Sequence, residues 1–270
     1  MFGFLKRRRR ERIRSRPFPR DWLDILRRNV PYYSRLSDDE RRQLQDHIKV
    51  FLCEKRFAGC GGLEITDEIR VTVAAHACIL LLNRQGDYYP RMKSIFVYPH
   101  EFFSERRVVR PDGVVVEGEF SRLGESWYRG PVVLSWDSIT SGVADSRDGF
   151  NVVLHEFAHQ LDSESGAVNG APRLEKGTMY VAWARVLGDE YAGLVDRTER
   201  HRPTTMRSYG AASPAEFFAV VTECFFEKPA QLRRKHPDLY EQLRSFYHQN
   251  PAARIGGDKD GTQGQLADAP

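Results

Sequence analysis

Apolar and polar positions in the first third of the chain follow the period of amphipathic helices. The stretch "PRDWLDILRRNVPYYSRL" predicts a helix that starts at Asp21 and ends at Pro31, and "SDDERRQLQDHIKVFLCEKRF" predicts a second helix capped by Ser37. Glycines within residues 59–62 separate these helices from a third, which contains the apolar run "AAHACILLL" and is expected to be buried. The first third of the chain is therefore predicted to be helical.

Between Met92 and Trp136 the pattern changes to short β-branched or aromatic runs separated by Pro, Gly and Asp. These runs are "SIFVYP", "RRVVR", "GVVVEG" and "PVVLSW". Their length and spacing predict a small β-sheet. The last run is interpreted as an ordinary core strand, although its edge would also suit pairing with an extended peptide.

Helical periodicity returns after the predicted sheet, in "GFNVVLHEFAHQLDSESG", "MYVAWARVLGDEYAGLV", "PAEFFAVVTECFFEK" and "PDLYEQLRSFYHQN". Helices followed by a small sheet and then by further helices predict one α+β domain over residues 21–250.

Residues 1–20 are basic and residues 251–270 are polar and rich in glycine, so both segments are predicted to be disordered.

Positive charge is concentrated at the start of the chain. The formal net charge is +4, yet residues 1–20 contain nine Lys or Arg and one acid, which leaves the remainder mildly acidic. The segment Lys6–Arg16 would attract phosphates or an anionic membrane surface weakly and without specificity. A solvated tail is the simpler interpretation, and no recognisable DNA-reading module accompanies it, so no specific nucleic-acid binding is expected.

Compartment signals in the sequence favour a cytoplasmic protein. No apolar run reaches the roughly 18 residues that a transmembrane helix needs. The opening "MFGFL" precedes the basic run instead of following it, which is the wrong order for a secretory signal. The four cysteines form neither a CxxC pair nor a dense framework, which argues against a zinc ribbon or a disulfide scaffold.

The stretch "HEFAH" places His155 and His159 one helical turn apart. The apolar positions of this helix form a continuous arc elsewhere on its surface, so the histidines share a separate polar face. Imidazoles at i and i+4 can both reach one zinc ion at about 2.0–2.1 Å, and Glu156 beside them is placed to act as a general base on water. The alternative is a solvated polar face, which the specificity of HExxH in a helical context makes the weaker interpretation.

A third protein ligand has to come from elsewhere in the chain. The metzincin extension requires Gly and His at positions where this chain has Asp162 and Ser165, so that class is excluded. Asp162 would suit either the orientation of a ligand imidazole or a surface or capping role. Glu216 and Glu223, seven residues apart on one helix face, both qualify as the distant carboxylate ligand.

Glu216 also has a purely structural interpretation. With Ser213 and Pro214 it forms an S-x-x-E capping box that has proline at the first helical position. Helical periodicity does not distinguish Glu216 from Glu223, so the residues alone leave the third ligand open.

Three stretches, "GFNVVLHEFAHQLD", "SYGAASPAEFFAVVTECFFEKP" and "GCGGLEIT", resemble the Mlc titration factor A family of bacterial zinc metallopeptidases. The similarity extends from about Trp22 to Pro251. It implies a zincin-like, gluzincin fold with one zinc ion per chain. A helical N-terminal part and a small sheet would then precede the HExxH helix and the C-terminal helices.

The resemblance also implies roles for individual residues. His155, His159 and Glu216 would bind zinc, Glu156 would be the general base, and Tyr209, seven residues before Glu216, would assist catalysis. The implied activity is peptide hydrolysis, particularly as an aminopeptidase, together with binding to a transcriptional repressor of sugar uptake. The alternative function is a regulatory protein that sequesters such a repressor, with catalysis secondary.

Overall fold

A computed structural model of the chain describes residues 2–109, 115–122, 124–126 and 130–255. Helices make up most of its first eighty residues. Their bounds are α1 (Phe2–Arg14), α2 (Arg20–Asn29), α3 (Pro31–Ser34), α4 (Asp38–Glu54) and α5 (Asp67–Ile79). Ser37 caps α4 as predicted, because its hydroxyl accepts from the N–H of Glu40 while the Glu40 carboxylate accepts from the N–H of Ser37.

The strands form a mixed sheet and a separate hairpin. Their bounds are β1 (Arg56–Gly59), β2 (Ser94–Tyr98), β3 (Phe102–Val109), β4 (Val115–Arg122), β5 (Gly124–Ser126) and β6 (Val132–Ser135). The sheet has the order β1-β2-β6-β5, with β1, β2 and β6 parallel and β5 antiparallel to β6. Strands β3 and β4 pair with each other in antiparallel register. The predicted α+β organisation is therefore present.

Helices again follow the sheet. Their bounds are α6 (Trp136–Ala144), α7 (Val152–Ser163), α8 (Met179–Glu199), α9 (Pro214–Glu227), α10 (Pro229–Lys235) and α11 (Pro237–Tyr247), with short 3₁₀ helices at Ser208–Ala212 and Pro251–Arg254. Among the described residues, no helix is long and apolar enough to cross a membrane.

The structure differs from the disordered tail expected over residues 1–20, because residues 2–14 form α1. Arg10 donates to both carboxylate oxygens of Glu54, at 2.7 and 2.8 Å, and to Asp87 at 2.6 Å. Ile13, three residues later, is buried in the core. Charge counting along the sequence treats such a run as solvated, whereas here distant acids and one apolar side chain fix the helix to the rest of the protein.

Three further expectations need correction, for one helix end, for the sheet and for the C-terminal segment. The helix predicted to run to Phe57 ends at Glu54, and residues 56–59 form β1 instead. The strand in "PVVLSW" was expected to suit pairing with an extended peptide along its edge. It forms β6, which lies between β2 and β5 and therefore has no free edge. Pro251–Arg254 form a 3₁₀ helix in which Pro251 is buried, whereas the rest of the C-terminal segment, 256–270, lies outside the described residues.

Helix α7 lies within the buried core. Its residue Phe157 packs against Phe51 of α4 and against Tyr89, with ring centroids 5.7 and 4.8 Å apart. The helix also contacts α5, α9 and the β5–β6 side of the sheet. These contacts fix the rotation of α7 about its axis, and with it the direction of the polar face.

Candidate metal centre

Helix α7 presents His155, Glu156 and His159 next to one another. The helix begins after the cap residue Asn151, whose Oδ1 accepts a hydrogen bond of 3.0 Å from the N–H of Leu154. His155 and Glu156 are buried and His159 is partly buried. The imidazole centroids are 4.9 Å apart. The two histidines, four residues apart in the sequence, therefore have their rings next to each other on one face of the helix.

Helix α9 brings Glu216 to these histidines. Ser213 Oγ accepts a hydrogen bond of 3.2 Å from the N–H of Glu216. One of the two hydrogen bonds of the predicted capping box is therefore present. The Glu216 carboxylate, however, lies 3.0 Å from Nε2 of His155 and 3.3 Å from Nε2 of His159. A reciprocal capping box would direct that carboxylate at the N–H of Ser213. Capping therefore accounts for Ser213 but not for the direction of the Glu216 side chain.

The three side chains fit a zinc ion in chemistry and spacing. Two imidazole nitrogens and one carboxylate oxygen, one atom from each of His155, His159 and Glu216, all lie within 4.8 Å of one another. Ligand atoms about 2.0–2.1 Å from a tetrahedral zinc are separated by roughly 3.3 Å, which is close to the contacts that Glu216 makes here. Two histidines and one glutamate are also a ligand set of catalytic zinc sites. Among the described residues, these three form a group that could hold a metal ion.

The charges around His155 favour a cation at this point. Burial lowers the pKa of His155, but its hydrogen bonds to Glu216 and Glu223 outweigh burial and raise the pKa to about 10. Burial would raise the pKa of Glu216, yet hydrogen bonds from His155 and His159 hold it well below its usual range. The same carboxylates would stabilise a divalent ion among the ligands.

Glu223 contacts the opposite edge of the His155 ring. Its Oε1 lies 2.8 Å from Nδ1 of His155 and accepts a hydrogen bond of 2.5 Å from Arg207 Nη2. Its Oε2 accepts a hydrogen bond of 2.6 Å from the N–H of Asn151. Glu223 is completely buried, so these donors offset the cost of removing its charge from water. Of the two glutamates that periodicity could not separate, Glu216 lies at Nε2 of both histidines and Glu223 at Nδ1 of one.

Tyr209 lies beside the imidazole of His155. It belongs to the 3₁₀ helix Ser208–Ala212, and the two ring centroids are 5.9 Å apart. The next residue, Gly210, allows this turn to pack tightly on α9, because a Cβ there would lie 3.3 Å from Cβ of Val220. Tyr209 is 53% exposed, so part of this residue is accessible to a molecule that binds next to His155.

Asp162 holds a loop against α9. Its Oδ2 accepts a hydrogen bond of 2.7 Å from the N–H of Gly170. Gly170 has a φ of +79°, and a Cβ there would come within 2.4 Å of the carbonyl oxygen of Pro214, so this position requires glycine. This hydrogen bond supports the start of the helix that supplies Glu216. Asp162 also lies close enough to His159 for their charges to interact.

Sequence reasoning did not single out Asn151 or Arg207. Asn151 caps α7 through its side chain and contacts Glu223 through its backbone. An asparagine just before the HExxH helix is a recognisable capping signal. Arg207 pairs with Glu223 and lies over the Phe150 ring at 4.6 Å, but it belongs to a loop with no periodic pattern that could mark it.

Comparison with known proteins identifies the family of this chain. Residues 4–248 match the model of the family described as glucose-regulated metallo-peptidase M90. The match begins within α1, so the similarity extends further towards the N-terminus than the expected start near Trp22.

Individual relatives cover most of the chain. An uncharacterized protein of Synechocystis sp. is 43% identical over 245 residues, which is 90% of this chain and 89% of that protein. Mlc titration factor A of Pectobacterium atrosepticum is 32% identical over 84% of this chain and 86% of its own length. Mlc titration factor A of Yersinia pestis is 30% identical over 87% and 86%, respectively. The resemblance to Mlc titration factor A is thereby confirmed, and the chain belongs to the glucose-regulated metallopeptidase M90 family.

Proposed function

We propose that this protein is a zinc-dependent peptidase with a zincin-like, gluzincin fold. The observation that carries the proposal is the convergence of Nε2 of His155, Nε2 of His159 and the carboxylate of Glu216. Glu156, next to the first histidine, supplies the general base that hydrolysis needs. Membership of the M90 family supports a metallopeptidase activity in general.

Each residue has a defined task in this proposal. Zinc, when bound by His155, His159 and Glu216, acidifies water and polarises a peptide carbonyl. Glu156 takes a proton from the attacking water at its carboxylate and then delivers it to the departing amine nitrogen. The hydroxyl of Tyr209 donates a hydrogen bond to the oxyanion that develops at the carbonyl carbon.

Glu223 and Arg207 are positioning residues in the same proposal. The hydrogen bond from Nδ1 of His155 to Glu223 selects the tautomer in which Nε2 carries a lone pair. Arg207 contacts the same Glu223 oxygen and restricts its movement. The ligand set is therefore oriented before a substrate arrives.

We extend the proposal to an aminopeptidase that acts in the cytoplasm. A second proposed function is binding to a transcriptional repressor. It rests on the relatives that are named Mlc titration factor A. The two functions are compatible, because a metal centre for hydrolysis leaves most of the surface available for a partner.

The substitution Glu156→Gln tests the catalytic proposal. The amide keeps the shape of the side chain but cannot accept the proton, so we expect hydrolysis to fall by about 10²- to 10⁴-fold while zinc remains bound. Glu164→Gln, at the end of the same helix, is the matched control and should retain activity. Unchanged turnover of Glu156→Gln would remove this residue from the mechanism.

The substrate class is tested by comparing aminoacyl substrates, the same peptides with acetylated N-termini, and internally quenched peptides. An aminopeptidase hydrolyses only substrates with a free amino terminus. Equal hydrolysis of acetylated peptides would contradict the aminopeptidase assignment but not the peptidase assignment. Repressor binding is tested separately with Glu156→Gln, which should bind a repressor of sugar uptake as tightly as the wild type does.

A further inference from the structure

Helix α1 is fixed to the protein along one side. Lys6 contacts both carboxylate oxygens of Asp87 at 2.9 Å, and Arg10 contacts the same carboxylate at 2.6 Å. The Arg10 guanidinium also lies 4.7 Å from the centroid of the Tyr88 ring. Ile13, one turn further on, is buried. These residues lie within about 60° of one another around the helix, taking 100° per residue.

The opposite side of α1 combines exposed apolar and basic side chains. At 100° per residue, Phe4, Arg8 and Arg12 fall within about 80° of one another, and Leu5 lies about 20° from Arg12. Phe4 and Leu5 are 63% and 59% exposed, among the most exposed large apolar side chains of the described residues. The Arg8 guanidinium lies 5.4 Å from the centroid of the Phe4 ring, so charge and apolar surface are adjacent.

A groove beside α1 continues the positive surface. Arg9 lines it from the helix, and Arg56 and Lys93 line it from the sheet, where the N–H of Arg56 donates to the carbonyl of Lys93. All three side chains belong to exposed residues. Within the described part of the chain, none of these three cations forms an ion pair, and neither do Arg8 and Arg12. Lys6 and Arg10, by contrast, are already neutralised by Asp87 and Glu54.

We infer that the outward face of α1 and the adjoining groove form a docking surface for an anionic lipid bilayer. Helices that lie in a membrane interface combine Lys or Arg with Phe or Leu on the side that meets the lipid. The guanidinium and ammonium groups contact lipid phosphates, while Phe4 and Leu5 enter the boundary between headgroups and acyl chains. A duplex nucleic acid would satisfy the charges but would leave both apolar side chains in water.

This docking surface is independent of the metal centre. Its residues lie on α1, β1 and the approach to β2, whereas the metal ligands lie on α7 and α9. Attraction between unpaired cations and anionic lipids weakens with ionic strength. Two apolar side chains are too few for permanent anchoring, so binding is reversible and brings the protein to the surface of a membrane without inserting a helix across it.

Cosedimentation of the full-length protein with vesicles tests the inference. Vesicles of phosphatidylcholine alone are compared with vesicles of phosphatidylcholine mixed with phosphatidylglycerol. Binding is expected only with the anionic vesicles and is expected to fall with added salt. Equal binding to neutral vesicles, or no binding to either kind, would overturn the inference.

Two sets of substitutions locate the surface. The triple substitution Arg8→Gln, Arg9→Gln and Arg12→Gln should reduce vesicle binding on the order of 100-fold, at about 1 kcal/mol per basic residue. The double substitution Phe4→Ser and Leu5→Ser should reduce it at least tenfold, because full burial of one such side chain is worth about 1.5–3 kcal/mol. All five residues are exposed, so neither change should alter the melting temperature.

A control triple substitution removes three exposed charges from α10, namely Arg233→Gln, Arg234→Gln and Lys235→Gln. It has the same net charge as the α1 triple variant and should bind vesicles like the wild type. If it loses as much binding as the α1 variant, net charge alone governs association and the inference fails. If the Phe4 and Leu5 substitutions have no effect while duplex DNA binds with the same dependence on the α1 arginines, the surface recognises polyanions and not a bilayer.

Discussion

Glu223 and Glu216 contact opposite edges of the same imidazole. Oε1 of Glu223 lies 2.8 Å from Nδ1 of His155, and Oε2 of Glu216 lies 3.0 Å from Nε2 of that ring. A carboxylate on the nitrogen remote from a metal fixes the ring and raises the basicity of the ligating nitrogen. The two glutamates of α9 thus have different expected tasks, although they share one helix face.

The substitution Glu223→Gln should weaken the metal centre without abolishing it. The amide keeps the size of the side chain, but the negative charge that holds His155 and Arg207 is lost, so zinc affinity or activity should fall by about 10- to 100-fold. Competition with a chelator of known affinity measures the zinc affinity. Wild-type affinity and an unaltered dependence of activity on pH would show that Glu223 has only a packing role.

The substitution Tyr209→Phe should affect turnover more than binding. If the hydroxyl donates to an oxyanion, its removal costs stabilisation only in the transition state, and kcat should fall by about 10²-fold with little change in KM. Zinc content and melting temperature should stay at the wild-type values, because the side chain is largely exposed. A rise in KM with kcat unchanged would assign Tyr209 to substrate binding instead.

Glu227 should make stability depend on pH. Burial raises the pKa of Glu227 to about 9, and the nearby charge of Glu223 contributes to the rise, whereas the ordinary value is 4.5. The folded protein therefore keeps a proton that the unfolded chain releases at lower pH. This contribution to stability is fully present below about pH 4.5 and is lost as the pH rises through about 9.

The substitution Glu227→Gln isolates that effect, because glutamine cannot ionise and still offers an oxygen to Asn151 Nδ2, which donates to Glu227 at 3.2 Å. We expect the free energy of unfolding of the wild type to fall relative to the variant between about pH 5 and pH 9. Urea unfolding across this range, at fixed zinc concentration, provides the measurement. Parallel pH profiles for the two proteins would contradict the raised pKa.

Local patterns in the sequence were sufficient to predict the polar face of α7. The spacing of His155, Glu156 and His159 predicts one shared face, and the structure brings them together because a helix repeats every 3.6 residues. The third proposed ligand could not be predicted from local spacing. Glu216 and Glu223 satisfy the same periodicity, and only the packing of α9 on α7 decides which nitrogen each carboxylate meets.

Long-range partners explain the parts of the fold that the sequence did not indicate. Strand β1 has only four residues directly after a helix, and its pairing with β2 joins segments almost forty residues apart. The composition of residues 1–20 predicts a solvated tail, because it gives no sign of Glu54 and Asp87, which lie far along the chain and pair with Arg10. In both cases the sequence around the element does not reveal the distant partner that stabilises it.

The zinc content of the purified wild type and of Glu216→Gln tests the central claim most directly. Glutamine at this position keeps the N–H that Ser213 caps, but it is a poor metal ligand, so the substitution separates ligation from capping. Ser213→Ala is the matched control, which should lower the free energy of unfolding by about 1 kcal/mol and keep its zinc. Elemental analysis should find about one zinc per chain in the wild type and in Ser213→Ala, and little in Glu216→Gln at an unchanged fold. A wild type that neither contains zinc nor takes it up, or a Glu216→Gln variant that keeps its zinc while Glu223→Gln loses it, would contradict the account.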